Sequence, residues 1–386
     1  MTVPDERALI IGGGIGGLAS AHALVSQGID AVVFERANDV RKIQLGGGFH
    51  MWTNAARALQ RLGLYDQVQA IGAPIALTEY RTATGRLLAT WPVGEIARAN
   101  GVVDVGVSRQ DLQALLVDAV GVDRIRLGAE CTAFEQDGDG VRLTLADGSE
   151  ERGTFLVGAD GLRSMVRAQI HGQQEPRYAG YTQWQSLIAD EGYALPAGDE
   201  RVLFGGGARA ILHRVGGERL FWAAVQYGDE TGAIASGGKD ELLERFAGWQ
   251  EPVAQAIAAT APEGIARLQI YDRDPLSSWG VGRVTLLGDA AHPMTTNLSQ
   301  GACQVLEDAA ALARCLREHD DVEPALRAYE RVRIARTTPV VTQSRRIAWV
   351  GHFKHPLVCA VRDRATAFGL GGPALKSHRQ FVTVEP

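Results

Sequence analysis

The sequence predicts an α/β fold of two interleaved lobes closed by a C-terminal helical segment. The apolar run Ala8-Leu9-Ile10-Ile11 enters the glycine-rich turn Gly12-Gly13-Gly14-Ile15-Gly16-Gly17, and helical spacing follows. Two distant apolar runs, Thr154-Phe155-Leu156-Val157 and Val284-Thr285-Leu286-Leu287, also end on glycine–aspartate turns. Between 177 and 274 the pattern changes to short alternating segments punctuated by glycine. At 386 residues the chain is longer than one ordinary core requires.

In the first unit Leu18, Ala21, Leu24 and Val25 recur at helical spacing until Gly28 stops the helix. The second strand, Ala31-Val32-Val33-Phe34, ends on Glu35. The glycines serve three separate purposes. Gly12 makes the turn, Gly14 lets the backbone approach a pyrophosphate, and Gly17 lets helix and strand pack closely. Unpaired N–H groups and the positive dipole end then face the anion. An acid at position 35 can accept hydrogen bonds from a ribose diol and repels a 2′-phosphate, which favours FAD or NAD over NADP.

The second motif is Gly158-Ala159-Asp160-Gly161, followed by Arg163, Val166 and Arg167. The third is Gly288-Asp289-Ala290-Ala291-His292-Pro293, after which Gln300-Gly301 opens a helix striped with Ala302, Leu306, Ala309, Ala310, Ala313 and Leu316. In their order and separation these residues resemble the aromatic-hydroxylase branch of the single-component class A flavoprotein monooxygenases, which includes the para-hydroxybenzoate, salicylate and urate hydroxylases. The resemblance covers nearly the whole chain.

The resemblance implies FAD as cofactor, NADH or NADPH as transient reductant, and O2 as co-substrate. One oxygen atom would pass from a flavin C4a-hydroperoxide to an electron-rich aromatic or conjugated small molecule. It implies a cofactor set of Gly12, Gly14, Gly16, Gly17, Glu35, Arg36, Gly48, Arg109, Cys131, Asp160, Gly288, Asp289, Gly301 and Ala302. Asp289 would meet the ribityl chain, Arg109 the FAD phosphates, and Asp160 both the pyrophosphate region and NAD(P)H. A guanidinium suits phosphate because its planar fork and charge match the oxygens. The N-terminus of the helix opened by Gly301 would stabilise negative charge on reduced flavin. His292 is expected to be structural or flavin-adjacent, and no catalytic residue is assigned. Two positions depart from the family pattern: Thr296 replaces a usual proline, and Ser299 replaces the first glycine of Gly-Gln-Gly.

An antiparallel sheet is expected from Tyr181 to Ile188, Arg201 to Phe204, Ala208 to His213 and Leu220 to Gln226. A helix should follow from Asp240 to Ala258, with Leu242, Leu243, Phe246 and Trp249 facing inward. Alternation puts Arg209, Ile211 and His213 on one face. Arg209 aligns with a histidine that deprotonates a phenol in some relatives; an arginine cannot be that base, but it can pair with an anion. The substrate candidates are Arg209, His213, Trp184, Trp222 and His50, with the core as the alternative place for Trp184 and Trp222. His50 follows the Gly46-Gly47-Gly48 loop that relatives bring near the flavin.

The expected organisation is a discontinuous FAD-binding unit (1–75, 102–176, 275–325), a substrate unit (76–101, 177–274) and the helical segment 326–386. A flavin-dependent reductase or dehydrogenase, or a non-catalytic FAD-binding protein, could use the same scaffold. The formal net charge of −6, with both signs mixed along the chain, disfavours nucleic acid or a membrane surface as partner. The four cysteines lack metal-ligand spacing and read as reduced thiols of a cytoplasmic protein. A polar start from Met1 to Arg7 offers no signal peptide, and no apolar run reaches the roughly 18 residues of a membrane span. Monomer and homodimer are both compatible with the sequence.

Overall fold

A computed structural model describes residues 6–39, 47–228, 230, 238–370 and 372–384; Gly46 and the first five residues lie outside them. The first apolar run forms the strand Arg7–Ile11, central in a five-stranded sheet. Its neighbours are Phe155–Gly158 and Asp30–Glu35, with Val284–Leu286 and Ile125–Leu127 outside them. Every pairing is parallel, which explains why these strands read as continuous apolar runs: both faces are covered.

The turn into the helix Ile15–Val25 requires its glycines. Gly12 has φ 107°, and a Cβ there would collide with the Ala159 carbonyl. A Cβ on Gly17 would collide with the Gly12 carbonyl, so any side chain there would push the helix off the strand.

The alternating region forms most of a seven-stranded sheet. Its order is Ala266–Asp272, Arg177–Ala189, Arg219–Tyr227, Ala208–Val215, Asp199–Phe204, Leu77–Thr82 and Leu87–Trp91. The four strands expected to be antiparallel are so, and a parallel pairing of Asp199–Phe204 with Leu77–Thr82 extends the sheet beyond them. The expected helix from Asp240 to Ala258 is instead two helices, Lys239–Arg245 and Val253–Ala259. Gly248, with φ 74°, and Pro252 interrupt the helical path between them. Leu242 and Phe246 are buried against one face of the sheet, while Leu243 and Trp249 are partly covered.

A small sheet made of Gly48–Met51, Val105–Ser108 and Ala73–Pro74 lies over the other face of the large sheet. The long helices Gly301–Glu318 and Val322–Val350 brace the parallel sheet, and Pro356–Leu370 and Pro373–Val382 close the chain. No helix among the described residues is long and apolar enough to cross a membrane.

The turn after Val284–Leu286 is held by a buried ionic network. Asp308 Oδ2 accepts the Gly288 N–H at 3.0 Å and lies 2.6 Å from His292 Nε2. Arg333 Nε donates to Asp308 Oδ1 at 2.6 Å, and its Nη1 to Glu307 Oε2 at 2.6 Å. Arg336 Nε also donates to Glu307 Oε2, at 3.0 Å. Arg333→Met would leave two buried carboxylates short of their cation, and breaking such a network costs about 3–5 kcal/mol. Urea denaturation should show that loss, and a change below about 1 kcal/mol would mean that the network holds nothing in place.

Candidate active site

One cleft runs between the two large sheets. It begins at Gly14, Ile15 and Gly16, passes Arg109 and Asp289, skirts Gly301 and Ala302 at the mouth of the long helix, and ends on the large sheet at Gln183, Ile211, His213 and Glu200. Arg109 is half-buried with its guanidinium 4.5 Å over the Phe49 ring; desolvation works against its charge and Asp289 supports it. Asp289 is exposed to the cleft, yet the protein packed around it pushes its carboxyl above its ordinary range, opposed by His292 and Arg109.

Glu35 braces the glycine turn. Its Oε2 accepts the Gly13 N–H at 2.7 Å and its Oε1 the Ala37 N–H at 2.8 Å. Asp160 Oδ2 accepts the N–H groups of Met165 and Val166 at 2.7 and 3.2 Å, while Oδ1 is buried without a partner among the described residues. Burial raises the Cys131 thiol to about 12, with Asp160 adding to the shift, so it stays protonated. Gly48, Gly288 and Gly301 border the cleft; Glu35, Cys131 and Asp160 stand outside its lining, and the neighbouring Arg36 is exposed. A helix N-terminus opened by glycine, a half-buried cation, an acceptor beyond it and the unpaired Asp160 oxygen together fit a dinucleotide with a polyol linker.

The strand register defines the far end. Leu187, Phe221, His213, Glu200 and Thr78 form one row across the sheet. Gln185, Ala223, Ile211, Val202 and Tyr80 form the next, and Gln183, Val225, Arg209, Phe204 and Thr82 a third. Residues paired in this way share a face. Above them, Gly106 crosses so closely that a Cβ would strike the Arg214 carbonyl and stand 2.7 Å from His213 Nδ1. That approach brings His50, paired with Gly106, down to Glu200: His50 Nδ1 lies 3.1 Å from Glu200 Oε2. On its other side His50 Nε2 makes a charge contact with Asp104 Oδ2 at 3.5 Å, and its ring stacks 3.7 Å from Trp52.

Burial opposes charge on His50, but Glu200 and Asp104 outweigh it and lift the imidazole to about 9. Burial likewise works against the Glu200 carboxylate, but His50 overrides it and holds the group at about 2. His378, from the last helix, packs against Trp52 and Trp91; burial and the nearby His50 hold it at about 3, hence neutral.

Comparison with known proteins gives this geometry a lineage. The family model described as "FAD binding domain" matches residues 5–344. The aurachin C monooxygenase/isomerase of Stigmatella aurantiaca is 39% identical over 92% of both chains. A FAD-dependent urate hydroxylase of Klebsiella pneumoniae is 35% identical, covering 90% of this chain and 91% of that one. The solved structure of Klebsiella pneumoniae HpxO complexed with FAD and uric acid superposes with a TM-score of 0.91 at 30% identity, over 100% of this chain and 98% of that one.

The chain belongs to the FAD-binding class A monooxygenases.

The reductase and non-catalytic alternatives therefore fall away. Of the monooxygenase's expected substrate residues, His50 and His213 line the cleft. Arg209 shares the face of Ile211 and His213 and is buried just outside the lining. Trp184 and Trp222 are a correction. Their neighbours Gln183, Gln185, Phe221 and Ala223 face the cleft, so alternation turns both indoles to the opposite side. There they pack with Leu212, Leu242 and Phe246, and Trp222 Nε1 donates to Thr260 Oγ1 at 2.9 Å. Gly47 and Gly48 make their close approach to Gln185 and Phe221 of the sheet.

Glu200, Asp104, Gln183 and Gln185 escaped sequence reasoning. Two glutamines flanking a tryptophan were the available signal, since buried amides at alternate positions mark a polar face. His292 is bonded to Asp308 through Nε2 and stands outside the cleft lining.

The His50–Glu200 pair makes stability pH-dependent. His50, raised from 6.5 to about 9, contributes stability that is complete below pH 6.5 and lost as pH rises through 9. Glu200→Gln removes the main partner, so its unfolding free energy should fall less over that window than that of the parent protein. Parallel curves in urea titrations would show that the two residues are not coupled.

Proposed function

We propose that this monooxygenase uses NADH or NADPH to insert one oxygen atom of O2 into an electron-rich aromatic or conjugated small molecule. The observation that carries this reading is the continuity of the cleft from Gly14 to Glu200, which puts a dinucleotide cradle and a sheet-floored chamber in one continuous space. FAD held there supplies the redox chemistry: two electrons taken from NAD(P)H, and one oxygen atom of O2 delivered while the other leaves as water.

The chain's own residues do the rest. Arg109 would hold the phosphates, Asp289 the polyol linker and Glu35 the adenosine ribose. Gly301 and Ala302, at the helix N-terminus that borders the cleft, would stabilise charge on the reduced ring system. Phe221, Ile211 and Ala223 give the substrate ring an apolar bed that excludes water.

Arg209 would bind an anionic or strongly polarised group of the substrate. Its Nε and Nη2 are buried without hydrogen-bond partners among the described residues, a costly state for a permanent charge. A substrate oxygen would relieve it.

Incubation with NADH or NADPH, 18O2 and a panel of aromatic compounds should yield a product heavier by one labelled atom; NAD(P)H consumption with no label in any product would overturn the reading. Arg209→Ala should raise KM by roughly tenfold or more, the loss of a hydrogen bond to a charged group, with FAD content unchanged. Arg209→Lys should recover part of that loss, because an ammonium lacks the fork. Wild-type kinetics in Arg209→Ala would remove this residue from the site.

A further inference from the structure

Glu200 and His213 sit directly opposite each other on adjacent strands, and both open onto the cleft. Glu200 Oε2 is taken up by His50 Nδ1 at 3.1 Å and by the Thr78 hydroxyl, which donates at 2.9 Å. Its Oε1 receives no hydrogen bond from the described residues. His213 Nδ1 lies 3.1 Å from the Arg214 carbonyl oxygen, which can only accept. Nδ1 therefore carries the proton, and Nε2 is left with its lone pair. Burial keeps this imidazole below its usual range, and the charged His50 assists, against an opposing pull from Glu200. The cleft thus ends in two adjacent acceptors, backed by an ion pair that keeps one of them charged.

Resting on the functional reading above, we infer that Glu200 and His213 form the specificity edge of the substrate chamber, selecting a planar heteroaromatic that presents neighbouring N–H or O–H donors. Cyclic amides, cyclic ureas and amino-phenols fit that description. Donors from such a ring pair with Glu200 Oε1 and His213 Nε2 while its faces lie against Ile211 and Phe221. A carboxylate at the same place brings further lone pairs against a buried anion and is turned away. Arg209 stands four residues from His213 along the strand, about 13 Å at ordinary strand rise, so donor and acceptor ends of one ligand meet opposite ends of the chamber. The edge therefore fixes orientation as well as selecting substrate.

The test uses the FAD-loaded protein and equilibrium dialysis, which requires no turnover. Two probes of similar size are compared: benzimidazol-2-one with two N–H donors, and its N,N′-dimethyl derivative with none; both offer the same carbonyl to Arg209. The wild type should bind benzimidazol-2-one roughly tenfold or more tighter than the dimethyl derivative, the value of a hydrogen bond to a charged group. Glu200→Gln should shrink that preference to a few-fold. Equal binding of the two, tighter binding of the dimethyl derivative, or no measurable binding of benzimidazol-2-one by the wild type would overturn the inference. So would a folded Glu200→Gln protein with unchanged preference. The wild-type comparison stands without any variant, so misfolding of Glu200→Gln does not remove the test. A protein that retains no FAD would instead overturn the functional reading itself.

Discussion

The position of Asp289 depends on one buried carboxylate. Asp308 accepts the backbone N–H of Gly288, pairs with His292 and is pinned from the far side by Arg333. Three elements thereby share one ionic centre: the turn that carries Asp289, the helix Gly301–Glu318 that points at the cleft, and the helix Val322–Val350 behind it. Buried ion pairs of this kind add little net stability over a well-packed apolar core. Their geometric demand is strict, however, and a turn fixed through one carboxylate, itself held by a forked guanidinium, has few alternative positions.

The large sheet serves two purposes because both of its faces are buried. One face, with Trp184, Trp222, Leu212 and Ala210, packs under the helices Lys239–Arg245 and Val253–Ala259. The other carries Gln183, Gln185, Glu200 and His213 toward the cleft. Buried polar groups on that second face cost free energy unless they are satisfied, and most find partners within the site. Gln183 Nε2 donates to Gln185 Oε1 at 2.7 Å, and Thr296 Oγ1 donates to Gln183 Oε1 at 3.0 Å. What remains open, at Arg209 and at the Glu200–His213 edge, is concentrated where a ligand would close it.

The cofactor half is legible in the sequence because its signals are local. Gly12 to Glu35 is one contiguous strand–turn–helix–strand unit, and the turns at Asp160 and Asp289 each follow their own strand. The substrate half is legible only as a pattern. Period-two alternation separates two faces without saying which is which, so large indoles such as Trp184 and Trp222 suit either the core or the pocket. Glu200 escapes for a smaller reason: the pattern marks a strand only from Arg201, whereas the strand begins at Asp199. The contact of His50 with Glu200 spans 150 residues of chain and depends on Gly106 crossing overhead, which no local pattern encodes.

The wall beside the cleft shows how this chain manages without the proline and glycine usual in its family. Ser299 adopts the left-handed conformation, φ 51° and ψ 34°, just before the helix begins. A residue with a side chain pays about 1–2 kcal/mol there, so the surrounding structure must hold it. The hold comes from the large sheet. The Tyr181 hydroxyl accepts the Thr296 N–H at 3.0 Å and donates to Asn297 Oδ1 at 2.8 Å, while the Asn297 amide donates to the Tyr227 hydroxyl at 3.1 Å. Thr296 Oγ1 adds its bond to Gln183. Where proline stiffens a backbone by restricting it in the unfolded and folded states alike, these bonds act only once the loop meets the sheet. The shape of the cofactor wall is therefore coupled to the residues that floor the substrate chamber.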